Sequence, residues 1–170
     1  SLSFSLDVTK ARRIEINAKS GGCFQGQTHG HKAFLMNPNE AKLLIAREPK
    51  YAEVVFPFLI AEDLIGEKNS RPTRYVIDFQ GKDVLEAQEY KQVFKRIKSQ
   101  VLPTRQKAAD EEAERNKQAL EVDKDAKVNR HHANFLKKWW IMSYPREDML
   151  RAISPLSRYI VCGQVTKRPI

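Results

Sequence analysis

Between Asp83 and Leu120 the apolar residues recur at helical rather than strand spacing, and no other stretch limits the available folds as strongly. Asp83 opens a helix whose buried stripe is Tyr90, Phe94, Ile97 and Val101. Pro103 is expected to end it, because proline lacks the amide and crowds the preceding turn. A second helix is expected over residues 105–120. Its apolar positions are mainly alanine, and Asp110-Glu111-Glu112-Ala113-Glu114 is acidic, so residues 104–122 read as an exposed charged helical arm outside the core.

Strand signals flank this helical region. Arg74-Tyr75-Val76-Ile77-Asp78-Phe79 carries the β-branched and aromatic content of a strand, and Ala33-Phe34-Leu35-Met36 is a shorter one. Ile14 and Ile16 alternate around Glu15, placing another near residues 12–18. The run Val54-Val55-Phe56-Pro57-Phe58-Leu59-Ile60 is apolar throughout and is assigned to the core. Phe135 to Tyr144, with Trp139-Trp140-Ile141-Met142 at its centre, reads as a strand stopped by Pro145, and residues 146–153 as a short helix. The final strand begins at Arg158-Tyr159-Ile160-Val161-Cys162 and leaves the apolar run with Gln164, Thr166, Lys167 and Arg168.

Helices also punctuate the first third. Asn37 followed by Pro38 is a helix start, Ala41, Leu44 and Ile45 form its buried side, and Pro49 ends it. The segment from Ser20 to His31 is glycine-rich loop. Helices enclosed by strands predict an α+β fold with a mixed or mainly antiparallel sheet. With 170 residues and 41% hydrophobic content, a single domain spanning residues 1–170 is expected.

Lysine and arginine outnumber the acids 30 to 21, for a net charge of +9. The excess is uneven: residues 1–50 carry 8 bases and 4 acids, residues 51–123 carry 12 and 14, and residues 124–170 carry 10 and 3. A basic surface concentrated in the last third points to a polyanionic partner. Cys23 and Cys162 are the two cysteines, far apart and without metal-type spacing, and Cys162 is expected inside its strand as an inert thiol. No apolar run reaches the roughly 18 residues needed to span a bilayer, and residues 1–9 lack the features of a secretion signal. A cytoplasmic protein with no membrane partner is therefore expected.

Catalytic patterns are sparse. His29, His31, His131 and His132 fall in two pairs, and with Cys23 they supply suitable zinc donors, but the spacing matches no established zinc pattern. Gly21-Gly22 and Gly26 with Gly30 fit neither phosphate-loop fingerprint, and no nucleophile elbow is present. Asn37-Pro38-Asn39 is a helix cap and not a methyltransferase tetrapeptide. Glu62-Asp63 lacks the acid-x-lysine partner a nuclease would need. No catalytic or metal residue is assigned. The remaining signal is basic: Arg130, Lys137, Lys138, Arg146, Arg158, Lys167 and Arg168 are candidate phosphate contacts, with Trp139 and Trp140 read as core and cap rings.

Several motifs together resemble a known family. Gly26-Gln27-Thr28-His29-Gly30-His31 with Ala33-Phe34-Leu35, Arg74 to Phe79, Val101-Leu102-Pro103 with Arg105, Trp139-Trp140, Tyr144-Pro145-Arg146, and Arg158 to Cys162 continuing through Val165-Thr166-Lys167-Arg168-Pro169 are similar to the target-recognition region of MmeI-like type IIG (type IIL) restriction-modification enzymes. The resemblance covers about residues 26–170. In that family one chain joins a nuclease, an adenine-specific DNA methyltransferase and a DNA-reading domain. It implies that the present chain is a non-catalytic, excised and incomplete recognition module. Double-stranded DNA and the methyltransferase and nuclease domains of its parent would be its partners, and S-adenosylmethionine would be bound by the parent and not by this segment. It also implies that Gln164, Thr166, Lys167 and Arg168 contact bases or phosphates, and these join Arg158, Arg130, Lys137 and Lys138, chosen for their charge, as the expected DNA contacts. Two other readings stand against this one: a protein-interaction or regulatory module working through the charged arm, and a metal-dependent enzyme using the histidine pairs.

Overall fold

The computed structural model describes residues 22–66 and 71–163. The chain folds as two compact units, one formed by residues 1–26 with 146–170 and the other by residues 27–145. The expected strand at residues 12–18 and the contact residues Gln164, Thr166, Lys167 and Arg168 lie outside the described residues.

The larger unit is built on a three-stranded antiparallel sheet: β1 (Leu35–Met36), β2 (Val55–Phe58) and β3 (Arg74–Ile77), with β3 in the middle. Val76 and Ile77 are fully buried, as a central strand demands, while β2 is an edge. Proline costs a strand one ladder donor, so Pro57 sits on that edge, where it and Phe56 are exposed. The run from Val54 to Ile60 is therefore core at Val54 and Val55 and surface two residues later. Of the expected strand Ala33 to Met36, only Leu35 and Met36 pair; Lys32–Phe34 forms a 3-10 turn capped by the His31 side chain.

Helix α1 (Pro38–Arg47) starts where the sequence indicates: the Asn37 side chain accepts from the Asn39 amide at 2.9 Å, and Ala41 and Leu44 are buried. Helix α2 (Ala61–Gly66) follows β2. Asp83 opens α3 (Val84–Gln88), accepting from Leu85 and Glu86 while Glu86 reaches back to its amide. Two corrections concern the long helical region. The first helix stops at Gln88, and a new one, α4 (Lys91–Val122), then runs without a break through Pro103. The lost amide at Pro103 does not end it, because Phe94, Ile97, Val101, Arg105, Ala109 and Glu112 keep one continuous buried stripe in phase on both sides. This also revises the arm: its outer part is exposed, but Arg105, Ala109 and Glu112 are as buried as core residues.

Phe34, Val54, Val76, Ile77, Phe79, Val93, Ile97 and Val101 fill the centre between sheet and α4. Each such side chain contributes about 1.5–3 kcal/mol on burial. The segment expected as a strand over Phe135 to Tyr144 is helical and turned instead: α5 (His131–Lys137) is followed by turns. Trp139 and Trp140 are half-buried against the core.

In the smaller unit, α6 (Glu147–Ile153) begins as expected, after Arg146 in the left-handed region at φ 55°. The strand expected from Arg158 is not formed at residues 158–163. That stretch is irregular, with Ile160 98% exposed and Arg158 and Cys162 also exposed. β-branched composition alone does not make a strand. Among the described residues, no helix is long and apolar enough to cross a membrane.

Candidate nucleic-acid interface

Helix α5 is seven residues long, too short to be stable alone, and α4 holds it at both ends. At its start, the buried Glu112 carboxylate accepts from the His132 and Ala133 amides, both at 3.0 Å. A helix N-terminus presents unpaired amides and a partial positive charge, which a carboxylate satisfies on both counts. Burial pushes the Glu112 carboxyl up, but those amides and nearby His132 outweigh it and leave the group below its ordinary value. One turn along α4, Asn116 donates to the Asn129 carbonyl at 2.6 Å and accepts from its amide at 2.9 Å. The Asn129 side chain in turn accepts from the His131 amide.

At the other end of α5, Arg105 donates to the carbonyls of Phe135 (3.3 Å), Lys138 (3.0 Å) and Ile141 (2.9 Å) and to the Ser143 hydroxyl (3.2 Å). Its guanidinium lies 5.7 Å from the centre of the Phe34 ring and 5.4 Å from that of Phe135. Helix C-terminal carbonyls favour a cation, so they take the place of the acid that a buried arginine usually needs. Burial brings its pKa down to about 10, which leaves the group charged at neutral pH.

The residues of the sequence motifs meet at neighbouring joints. Gln27 donates to Asp78 Oδ2 at 3.0 Å and to the Pro145 carbonyl at 2.9 Å. Thr28 and Tyr144 pair through both backbone bonds. Gly30, at φ 73°, packs so closely on Ser143 that a Cβ there would lie 1.8 Å from its hydroxyl. His31 Nδ1 accepts from the Ala33 amide at 3.1 Å, which fixes the neutral ring with its proton on Nε2, near Thr104. The ring's pKa is lowered by burial, then by Arg105 and His29. Trp140 donates to the Lys82 carbonyl, and Trp139 lies 5.3 Å from Phe94. These contacts build the fold, and Thr28, Gly30 and Tyr144 among them remain exposed.

What α4 displays through α5 is positive charge. Arg130 follows the fixed Asn129, and Lys137 and Lys138 belong to the backbone that Arg105 holds. All three are exposed, as are Lys124 and Lys127. Residues 124–138 carry these five bases against one acid, Asp125, and among the described residues none of the five forms an ion pair. No protein-family model, curated protein or solved structure matches the chain. The site is therefore defined by its own residues.

Other sequence candidates are placed elsewhere. Arg158 is exposed in the smaller unit, where Arg146 also contacts Gln25. Asp63 is buried and occupied in structure: it accepts from Thr73 at 2.6 Å and from the Ile60 amide, with Arg74 at 3.6 Å. Among the described residues, no group of three or more His, Cys, Asp or Glu is placed to hold a metal. Sequence reasoning missed Glu112, Asn116 and the structural role of Arg105. The signal was present, since 97, 101, 105, 109 and 112 continue the helical stripe of Phe94.

Proposed function

We propose that this chain is a non-catalytic module that binds duplex DNA and positions a target sequence for methyltransferase and nuclease domains of a longer parent protein. The observation that carries the reading is the exposed basic segment 124–138, whose bases form no ion pair among the described residues and whose helix α5 is held at both ends by buried charges of α4. Phosphate contacts supply most nucleic-acid affinity and need cations free of acidic partners. A rigid mount lowers the entropy lost when such side chains bind. The motif resemblance supplies the finer part of the proposal, namely DNA as the polyanion and adenine methylation as the parent's chemistry.

The test is duplex binding by the whole chain, followed by fluorescence anisotropy at several salt concentrations. Replacing Arg130, Lys137 and Lys138 together by alanine is expected to weaken binding on all sequences. The slope of log affinity against log salt should fall by about 2.7, since each phosphate contact contributes about 0.9. Wild-type chain that fails to bind duplex at low salt overturns the proposal. A second reading, a protein contact through distal α4, has in its favour the exposure of Val122 (91%) and Leu120 (39%). It gains if Leu120→Ala with Val122→Ala abolishes capture of a parent-protein domain while DNA affinity is unchanged.

A further inference from the structure

The N-terminal third of α4 is charged against its own helix. Lys91, Lys95 and Lys98 are exposed at the spacing i, i+4, i+7, so they share one face. From Lys91 to Ala109 the helix contains six bases and no acid; the acids begin at Asp110 and continue to Glu121. The first turn has no acid and the last turn no base. A helix dipole favours the opposite arrangement at both ends, so this pattern does not serve helix stability. Nor do the lysines pair elsewhere, since among the described residues none of the three is in an ion pair, whereas Lys107 on the same helix reaches Glu111.

The row also has a definite neighbour. At about 100° per residue, Lys98 lies about 40° from Phe94 and about 20° from Arg105, both on the same side. Phe94 packs on Trp139, and Arg105 donates to the Lys138 carbonyl. The lysine row therefore borders the flank of α4 on which Lys137 and Lys138 are carried. Between Lys91 and Lys98 the helix rises about 10 Å. Each strand of a duplex carries one phosphate per 3.4 Å of the helix axis, so that length laid along the axis spans about three phosphates.

We infer that Lys91, Lys95 and Lys98 extend the basic surface of residues 124–138 into a continuous track for a nucleic-acid backbone, making sequence-independent contacts to phosphates. This rests on the nucleic-acid reading above and adds a second contact surface to it.

The experiment compares wild-type chain, Lys91→Gln/Lys95→Gln/Lys98→Gln, the same triple change to arginine, and Arg130→Ala/Lys137→Ala/Lys138→Ala. Each is titrated with one fluorescent duplex between 50 and 200 mM salt, and each is melted to confirm the fold. The glutamine variant should melt like wild type and lose about 2.7 from the salt slope. Raising salt fourfold should then weaken wild type about 40-fold more than the variant. The arginine variant should keep the wild-type slope. A glutamine variant with an unchanged slope, beside an alanine variant whose slope falls, overturns this inference and leaves the proposed function intact. Wild-type chain that binds no duplex overturns both. If only vesicles of anionic phospholipid bind the row, the partner class is wrong and the inference fails.

Discussion

Removing the Arg105 guanidinium should loosen the whole segment from Phe135 to Ser143. The side chain is 8% exposed and serves three carbonyls and one hydroxyl through two nitrogens. A hydrogen bond from a charged donor is worth about 1.5–3 kcal/mol, and a buried acceptor left unsatisfied costs about 1–3 kcal/mol. Water and local relaxation will recover part of this, so Arg105→Met, which keeps most of the apolar stem, is expected to cost about 3–4 kcal/mol. Arg105→Ala also forfeits packing on Phe34 and Phe135 and should cost about 1 kcal/mol more. For a unit of this size about 4 °C of melting temperature is lost per kcal/mol, so the methionine variant should melt about 12–16 °C lower. Thermal unfolding followed by circular dichroism reads that number. Amide exchange should show the local consequence, with faster exchange in α5 and the following turns than in β3. A methionine variant melting within about 4 °C of wild type, with protection of α5 unchanged, would refute the clamp.

Three further outcomes follow from the same joints. Glu112 has a lowered pKa in the folded chain, so its stabilisation is complete above its ordinary value of 4.5 and is lost as pH falls through the folded value. Melting between pH 6 and 3 should show a loss that Glu112→Gln removes. The lowered pKa of His31 acts the same way for a base. Its neutral form is required to accept from Ala33, so stability should be full above pH 6.5 and fall below it toward the folded value, while an asparagine at this cap should flatten the response. Its neighbours Arg105 and His29 both oppose its protonation. Gly30→Ala should destabilise by about 2 kcal/mol in chemical denaturation, because a left-handed φ and the Ser143 hydroxyl both reject a Cβ.

Local chemistry is readable in the sequence wherever one residue decides an element. Asn37 before Pro38 and Asp83 before Val84 cap helices because their side-chain oxygens meet free amides. Arg74 to Ile77 is the central strand because its β-branched residues are covered on both sides. Sequence reasoning fails where tertiary context decides. Trp139-Trp140-Ile141-Met142 is a short apolar run, which periodicity cannot divide between strand and helix, and Arg105 determines the outcome from another element. Charge alone assigns Arg105 and Glu112 to solvent, although burial of a charge needs only dipoles of matching sign. Ile160 and Val161 suggest a strand by composition but belong to no strand among the described residues. The candidate interface is partly legible: local charge excess identifies Arg130, Lys137 and Lys138, while Lys91, Lys95 and Lys98 are hidden in a segment of balanced total charge.

The central claim is that residues 124–138 meet a nucleic-acid backbone. Hydrogen–deuterium exchange of the whole chain, with and without saturating duplex DNA at low salt, tests it most directly. DNA should slow exchange across residues 124–138 and leave β2 unaffected. Saturation of the chain by duplex with no change in that segment, or with protection confined to the sheet, would contradict the account.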